Sequence, residues 1–292
     1  MAYYEKYLKY KKKYLLLRKQ YGNMKGGALE TMPKLCFGTA QDNLDKMLKL
    51  ALDHGITHID GAEGYQYGKS HGIIRECIKL IPRENLWITW KADKITVEMI
   101  KAIITKLSCG YIDTFLVHHD SSCIAEDDFV QLQKAQKDGL IRFFGVSNCE
   151  NFERIQYLRE NYGISTIQIQ SRPPGGEIKY RPKTESDFIE KCNGIGINVM
   201  LFASVSGIIG IDDLTDYSIF TEIYEQHNIN KYYLQKYCYR TNNVLIISSV
   251  SGSSIKQNKE DSDAIERGDK LLDDSKMKDI ETKLLRLTLN LQ

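Results

Sequence analysis

The chain has 292 residues, 42% of them hydrophobic and 27% charged, with 21 Gly and 5 Pro. That balance excludes a disordered, collagenous or low-complexity protein, and no apolar run reaches the roughly 18 residues of a membrane span. The 7 cysteines (Cys36, Cys77, Cys109, Cys123, Cys149, Cys192, Cys238) show no paired CxxC spacing, so a reducing, cytoplasmic setting is expected rather than a disulfide framework or zinc finger.

The net charge of +2 is unevenly divided. Residues 1–27 carry eight Lys/Arg against Glu5 alone, a local +7 that leaves −5 for the rest of the chain. Tyr3, Tyr7, Tyr10, Tyr14, Leu17 and Tyr21 alternate steps of four and three, which predicts a short helix with tyrosines on one face and lysines around the remainder. Gly22, Gly26 and Gly27 then interrupt it as a flexible joint. The segment has neither the apolar core of a signal peptide nor the Ser/Arg bias of a transit peptide. It is expected to be a solvated extension or a docking segment for an acidic partner. It resembles the Tyr/Lys-rich leaders of many giant DNA virus proteins, which implies virion association as a further possibility for its address.

From about Pro33 the pattern changes. Short β-branched or aromatic runs recur at 35–39, 56–60, 86–90, 111–117, 141–146, 164–169, 197–202 and 244–249, separated by segments of helical spacing. Leu44, Met47, Leu48 and Ala51 share one helical face, as do Met277, Ile280, Leu284 and Leu287. Strands alternating with helices predict a parallel α/β architecture, and eight is the number that closes a (β/α)8 TIM barrel of about 250 residues. An open doubly wound sheet would need a Gly-rich dinucleotide turn after a strand. Gly194 and Gly196 come closest, but they precede a strand and read as a helix stop. The expected organisation is a leader at 1–27 and a single barrel domain over 28–292.

Barrel chemistry gathers where strands end. In chain order those ends offer Gly38 and Thr39, Asp60, Lys91, His118, Ser147 with Asn148, Gln168, and Phe202. Singly, each has an ordinary account: Asp60 as a helix cap, Lys91 as a surface charge, His118 as a satisfied core imidazole. Together they would converge on one mouth, which makes a site the better explanation.

These residues resemble the aldo-keto reductase family over about residues 33–289. Ile59, Asp60, Gly61, Ala62, Glu63, Gly64 and Tyr65, with Gly68, Lys69 and Ser70 behind them, are similar to its Asp-Thr-Ala…Tyr signature. Trp90-Lys91 resembles its Thr-Lys at the end of strand three. Tyr111 to His118 resembles its strand-four motif. Gly139 to Arg142 followed by Gly145 to Asn148 resembles that of strand five.

The resemblance implies carbonyl reduction with NADP(H) or NAD(H), hydride landing on carbon while a positioned acid protonates oxygen. It assigns that acid to Tyr65, with Tyr67 as rival. A phenol titrates near 10, and the ammonium of Lys91 is expected to lower it. Asp60 would hold Lys91 charged, and His118 would hydrogen-bond the carbonyl oxygen. By the same resemblance Gly38, Thr39, Asp60, Ser147, Asn148 and Gln168 lie along the nicotinamide, Phe202 stacks on it, and Ser248, Ser254 and Asn258 serve the adenosine end. No Lys or Arg occurs from Ser248 to Ile255, so the grip on a 2′-phosphate, and with it the choice between NADPH and NADH, is left open. Ala40, Asp93 and His119 occupy positions that often carry pocket tryptophans, and Asp120 replaces a frequent Pro. A small polar or sugar-like carbonyl substrate is expected. A monomer needing no nucleic acid completes the picture.

Two other classes fit part of the chain. A metal-dependent barrel hydrolase is suggested by the His118, His119, Asp120 run, but the other histidines are scattered and no third ligand is evident, so no metal is expected. A catalytically silent barrel acting as a binding or virion-associated protein would account for the leader and the altered cofactor loop.

Overall fold

Each of the eight β-rich runs forms a strand, and the pairing closes them into a ring. A computed structural model describes residues 31–79, 81–118, 126–170, 188–202, 236, 243–247, 252–280 and 282. The strands are β1 (Leu35–Gly38), β2 (His58–Ala62), β3 (Trp87–Ala92), β4 (Ile112–Val117), β5 (Ile141–Ser147), β6 (Thr166–Gln170), β7 (Asn198–Phe202) and β8 (Val244–Ile247). All neighbours are parallel, and β8 pairs back onto β1 through Leu35 and Leu245, closing the barrel. The helices are α1 (Leu44–Asp53), α2 (Ser70–Ile78), α3 (Val97–Leu107), α4 (Glu126–Lys137), α5 (Phe152–Tyr162), α6 (Phe188–Gly194) and α7 (Gly252–Glu266). The predicted leader at 1–27 lies outside the described residues, as do Leu284 and Leu287.

The helix periodicity meets the sheet as expected. In α1 the buried side chains are Leu44, Met47, Leu48, Ala51 and Leu52, one stripe against the barrel wall. Thr96 caps α3 by accepting from the Met99 N–H at 3.1 Å, and Asn151 caps α5 by accepting from the Arg154 N–H at 2.8 Å. Helix α6 stops at Gly194, and Gly196 turns the chain with a φ of 76°, so these glycines end a helix and open no dinucleotide loop.

Strand alternation sorts the side chains into two layers. Phe37, Ile59, Ile88, Trp90, Phe115, Phe144, Val146, Ile167 and Leu245 point outward into the large core shared with the helices. Cys36, Met200, Val244 and Ile246 form a smaller cluster inside the ring. Each buried Leu, Ile or Phe contributes about 1.5–3 kcal/mol, so the outer layer supplies most of the folding drive. At the crowded points only glycine fits. A Cβ on Gly145 would sit 1.7 Å from the Thr166 carbonyl oxygen.

The base of the barrel is polar and mostly paired, Thr166 Oγ1 being a buried exception. The buried Asp113 carboxylate accepts from Arg83 at 2.5 Å, from Arg142 at 2.8 Å and from the Ile88 N–H at 2.8 Å. Trp87 stacks on Phe143 with centroids 5.6 Å apart and donates to Thr114 at 3.1 Å. His58 bonds the Pro33 carbonyl through Nδ1 at 3.1 Å and the Thr89 hydroxyl through Nε2 at 2.9 Å.

Burial pushes His58 down from an ordinary 6.5 to about 4. The unfolded chain therefore binds the extra proton first. The stability contributed by neutral His58 is complete above pH 6.5 and lost as pH falls toward 4. By pH 4 the loss should reach about 3 kcal/mol. Denaturant unfolding across that range should show a flatter pH slope for His58→Asn than for the parent protein; an unchanged slope would place the acid sensitivity elsewhere.

Candidate functional site

Strands β2 and β3 deliver the central pair. Lys91 Nζ donates to Asp60 Oδ2 at 2.5 Å, with the lysine side chain only 1% exposed. Burial pulls the Lys91 ammonium down, but Asp60 and then Tyr65 raise it further, so it stays charged well into the alkaline range.

Asp60 does not end its strand, as the sequence reading had it. Gly61 pairs with Trp90 and Ala62 with Lys91, so β2 continues to Ala62 and Asp60 drops one layer into the barrel. Gln168 likewise sits two residues inside β6. Because both are recessed they meet: Gln168 Nε2 donates to Asp60 Oδ1 at 2.9 Å. Ser147 Oγ donates to Gln168 Oε1 at 3.3 Å, and Thr39 donates to the Asp60 carbonyl through its hydroxyl at 2.8 Å. Strands β3 and β6 and the residue after β1 thus converge on Asp60, with β5 behind Gln168.

The rim of the site stands above this layer. Tyr65 opens a 3-10 turn that runs to Gly68. Lys91 Nζ lies 5.3 Å from the Tyr65 ring centroid, and the His118 ring meets that ring edge-on at 5.9 Å. Burial pushes the Tyr65 phenol above its ordinary value, and the Lys91 charge pulls it back only in part. The net lowering expected from the sequence is therefore reversed, because a phenolate loses more hydration on burial than one ammonium restores. The side chain of Tyr67, the rival acid, lies outside the described residues.

His118 follows β4 directly. Its N–H donates to the Ala92 carbonyl at 2.9 Å and its carbonyl accepts from Asn148 Nδ2 at 3.0 Å. Asn148 adopts a φ of 61°, a left-handed turn that carries its amide back over the mouth. Phe202 ends β7, partly buried against the inner cluster. Gly38 ends β1, its carbonyl accepting from Gln41 Nε2 at 3.0 Å. Ala40 is exposed at the edge, and Asp93 lies just beyond β3.

Ser254 and Asn258, expected from the resemblance at the adenosine end, stand on α7. Asn258 is buried and donates to the Ser254 carbonyl at 2.9 Å, while Lys256 points outward toward Glu260 at 3.7 Å. Ser248, His119 and Asp120 lie outside the described residues. Neutral amides and hydroxyls on Ser147, Asn148 and Gln168, with an aromatic at Phe202, suit a neutral carboxamide ring. Among the described residues no three His, Cys, Asp or Glu side chains gather as a metal site would need.

Two neighbours escaped the sequence reading. Cys36 lies in the inner cluster close enough to feel Asp60 and Lys91, and burial pushes its thiol well above the ordinary value. Its position two residues before Gly38 on an alternating strand was the available signal. Glu63 accepts from His71 at 2.8 Å and from Lys106 at 2.8 Å, tying the end of β2 to α2 and α3. No sequence spacing announces that clasp.

Among characterised proteins the chain is 28% identical over 189 residues to glyoxal reductase of Bacillus subtilis, covering 62% of this chain and 63% of that protein. It is also 28% identical over 207 residues to an aldo-keto reductase of Bombyx mori, covering 61% and 65%. The matches thus span somewhat under two thirds of those relatives' length. The solved aldo-keto reductase of Klebsiella pneumoniae in complex with NADPH superposes with a TM-score of 0.67 at 19% identity, covering 87% of this chain and 92% of that one. The Bombyx mori enzyme in complex with NADP gives 0.65 at 23% identity, covering 89% and 94%. At those identities the structural likeness carries the fold. The model of the aldo/keto reductase family matches residues 34–211, more than half of the sequence, and the chain belongs to that family.

Proposed function

We propose that the protein is an NAD(P)H-dependent oxidoreductase that reduces aldehyde or ketone carbonyls to alcohols, or runs the reverse. The observation that carries this reading is the buried Lys91–Asp60 ion pair beneath Tyr65 and His118. A bound nicotinamide would supply or take the hydride at the carbonyl carbon. Tyr65 gives its proton to the carbonyl oxygen in reduction, and its raised pKa keeps that proton in place at neutral pH. Lys91 stabilises the phenolate left behind, and Asp60 keeps Lys91 charged and aimed. His118 donates to the same oxygen and orients the substrate. In the oxidative direction the phenolate accepts the proton, so alkaline pH favours that direction.

The exposed Ala40 and the carboxylate of Asp93 favour small, polar carbonyls over bulky aromatic ones. The relationship to a glyoxal reductase supports the same choice. Ser147, Asn148 and Gln168 hold the carboxamide, and Phe202 stacks on the ring. The silent-barrel reading draws on the stretch from Ser248 to Ile255, which lacks any Lys or Arg. Turnover separates the two, because a silent barrel could bind nucleotide without reacting.

Replacing Tyr65 by Phe should lower kcat on the order of 100-fold or more while fluorescence titration shows cofactor affinity nearly intact. Full activity in that variant, with loss in Tyr67→Phe, would reassign the acid. For the cofactor, the expected outcome is that NADPH loses most of its advantage over NADH, and that Ser254→Arg tightens NADPH selectively by roughly 1–3 kcal/mol for a charge-assisted contact. A thousandfold preference for NADPH in the parent protein would hand the phosphate to another base.

We further propose that residues 1–27 form a separate docking segment with an acidic partner. Truncation before residue 28 should leave the melting temperature and turnover unchanged, while docking weakens with salt as the Debye length drops from about 10 Å at 0.1 M to about 3 Å at 1 M. A truncated chain that misfolds, or folds but loses turnover, would mean the segment packs on the barrel.

A further inference from the structure

His118 is held more firmly than its place on the rim requires. Its backbone is clamped on both sides, by the Ala92 carbonyl at 2.9 Å and by Asn148 Nδ2 at 3.0 Å. The ring therefore has little freedom beyond its own torsions, and its surroundings are specific. One side meets the edge of Tyr65. The other brings Nδ1 to 3.8 Å from Asp93 Oδ1, an ion-pair distance, with the side chains 19% and 68% exposed.

That carboxylate favours one protonation state of the ring. A neutral imidazole carries one N–H and one bare nitrogen. If Nδ1 is bare, its lone pair faces the carboxylate and is repelled. If Nδ1 carries the proton, Nε2 becomes an acceptor and has nothing to give a carbonyl oxygen. The doubly protonated ring turns a positive N–H toward Asp93 through Nδ1 and still donates from Nε2. We propose that Asp93 is a positioning residue that biases His118 toward the imidazolium, in which Nε2 is the donor to the substrate oxygen. This rests on the carbonyl-reductase reading of the site.

The other described charges around the ring do not supply this effect. Lys91 and Asp60 neutralise one another at 2.5 Å, and Tyr65 stays protonated at neutral pH. His119 and Asp120, next in the chain, lie outside the described residues. With His118 charged, Asp93 offsets the imidazolium as Asp60 offsets Lys91. Reductive turnover is then expected to fall as pH rises through the titration of His118, where the donor is lost.

The test is an NMR titration of the His118 ring in the full chain, its signal assigned by its loss in His118→Asn. Asp93→Asn should move the midpoint down by about 0.2–0.7 pH units, the range for a largely exposed pair, and Asp93→Glu should restore most of it. The falling limb of reductive kcat/KM against pH should move by the same amount. An NMR midpoint that stays put in Asp93→Asn overturns the proposal. So does a midpoint that moves while the kinetic limb does not, since the imidazolium would then not be the donor. A protein that reduces no carbonyl yet shows the NMR shift would sink the reductase reading and leave the charge coupling standing.

Discussion

The structure depends on one buried ion pair. Removing two charges from water is costly, and their mutual attraction offsets that cost only where the geometry is good and the remaining lone pairs are used. Both conditions hold at Asp60. One carboxylate oxygen takes the Lys91 ammonium, the other takes the Gln168 amide, and the Asp60 backbone carbonyl takes the Thr39 hydroxyl. The contacts come from β3, β6 and the segment after β1, so the pair is satisfied only when the barrel is closed. Site and fold are therefore coupled through the same few hydrogen bonds.

The outer wall accommodates this arrangement through a change in side-chain size. Where the family signature has threonine before alanine on strand two and before lysine on strand three, this chain has Gly61 and Trp90 side by side across the β2–β3 pairing. A Cβ on Gly61 would lie 2.4 Å from the Trp90 ring, so the tryptophan fits because the glycine leaves it room. The ring also lies 4.8 Å from that of His71, whose Nε2 bonds Glu63. Glu63 follows β2 directly and precedes Tyr65 by two residues. Packing outside the barrel thus bears on where the turn carrying Tyr65 leaves the sheet.

The barrel interior divides by depth. Below, Asp113 accepts from Arg83 and Arg142, and His58 bonds Thr89, so these groups find their partners within the chain. Above, Tyr65, His118 and Asn148 stand half-buried at the rim, with Asp93 exposed beside them. Buried charge is tolerated here where an opposite charge meets it, and at the rim Asp93 likewise faces His118.

The sequence by itself determined the number of strands and their parallel order, and it singled out the residues of a candidate site. Alternation and helical spacing are local patterns, and each strand run contains its own evidence. That Tyr65, Lys91, Asp60 and His118 gather at one mouth was legible, because motif order along the chain follows strand order around the ring. Tertiary structure alone decided how deep each side chain sits. Pairing carried β2 two residues past Asp60 and β6 two past Gln168, and that recess let partners 108 positions apart in the chain meet. It also decided the balance of forces on Tyr65, since desolvation depends on what closes around a phenol and no spacing records it. The contact between Asp93 and His118 belongs to the same class. Two residues at the ends of adjacent strands become neighbours only when the register between β3 and β4 is set, and hydrogen bonds across the sheet set it.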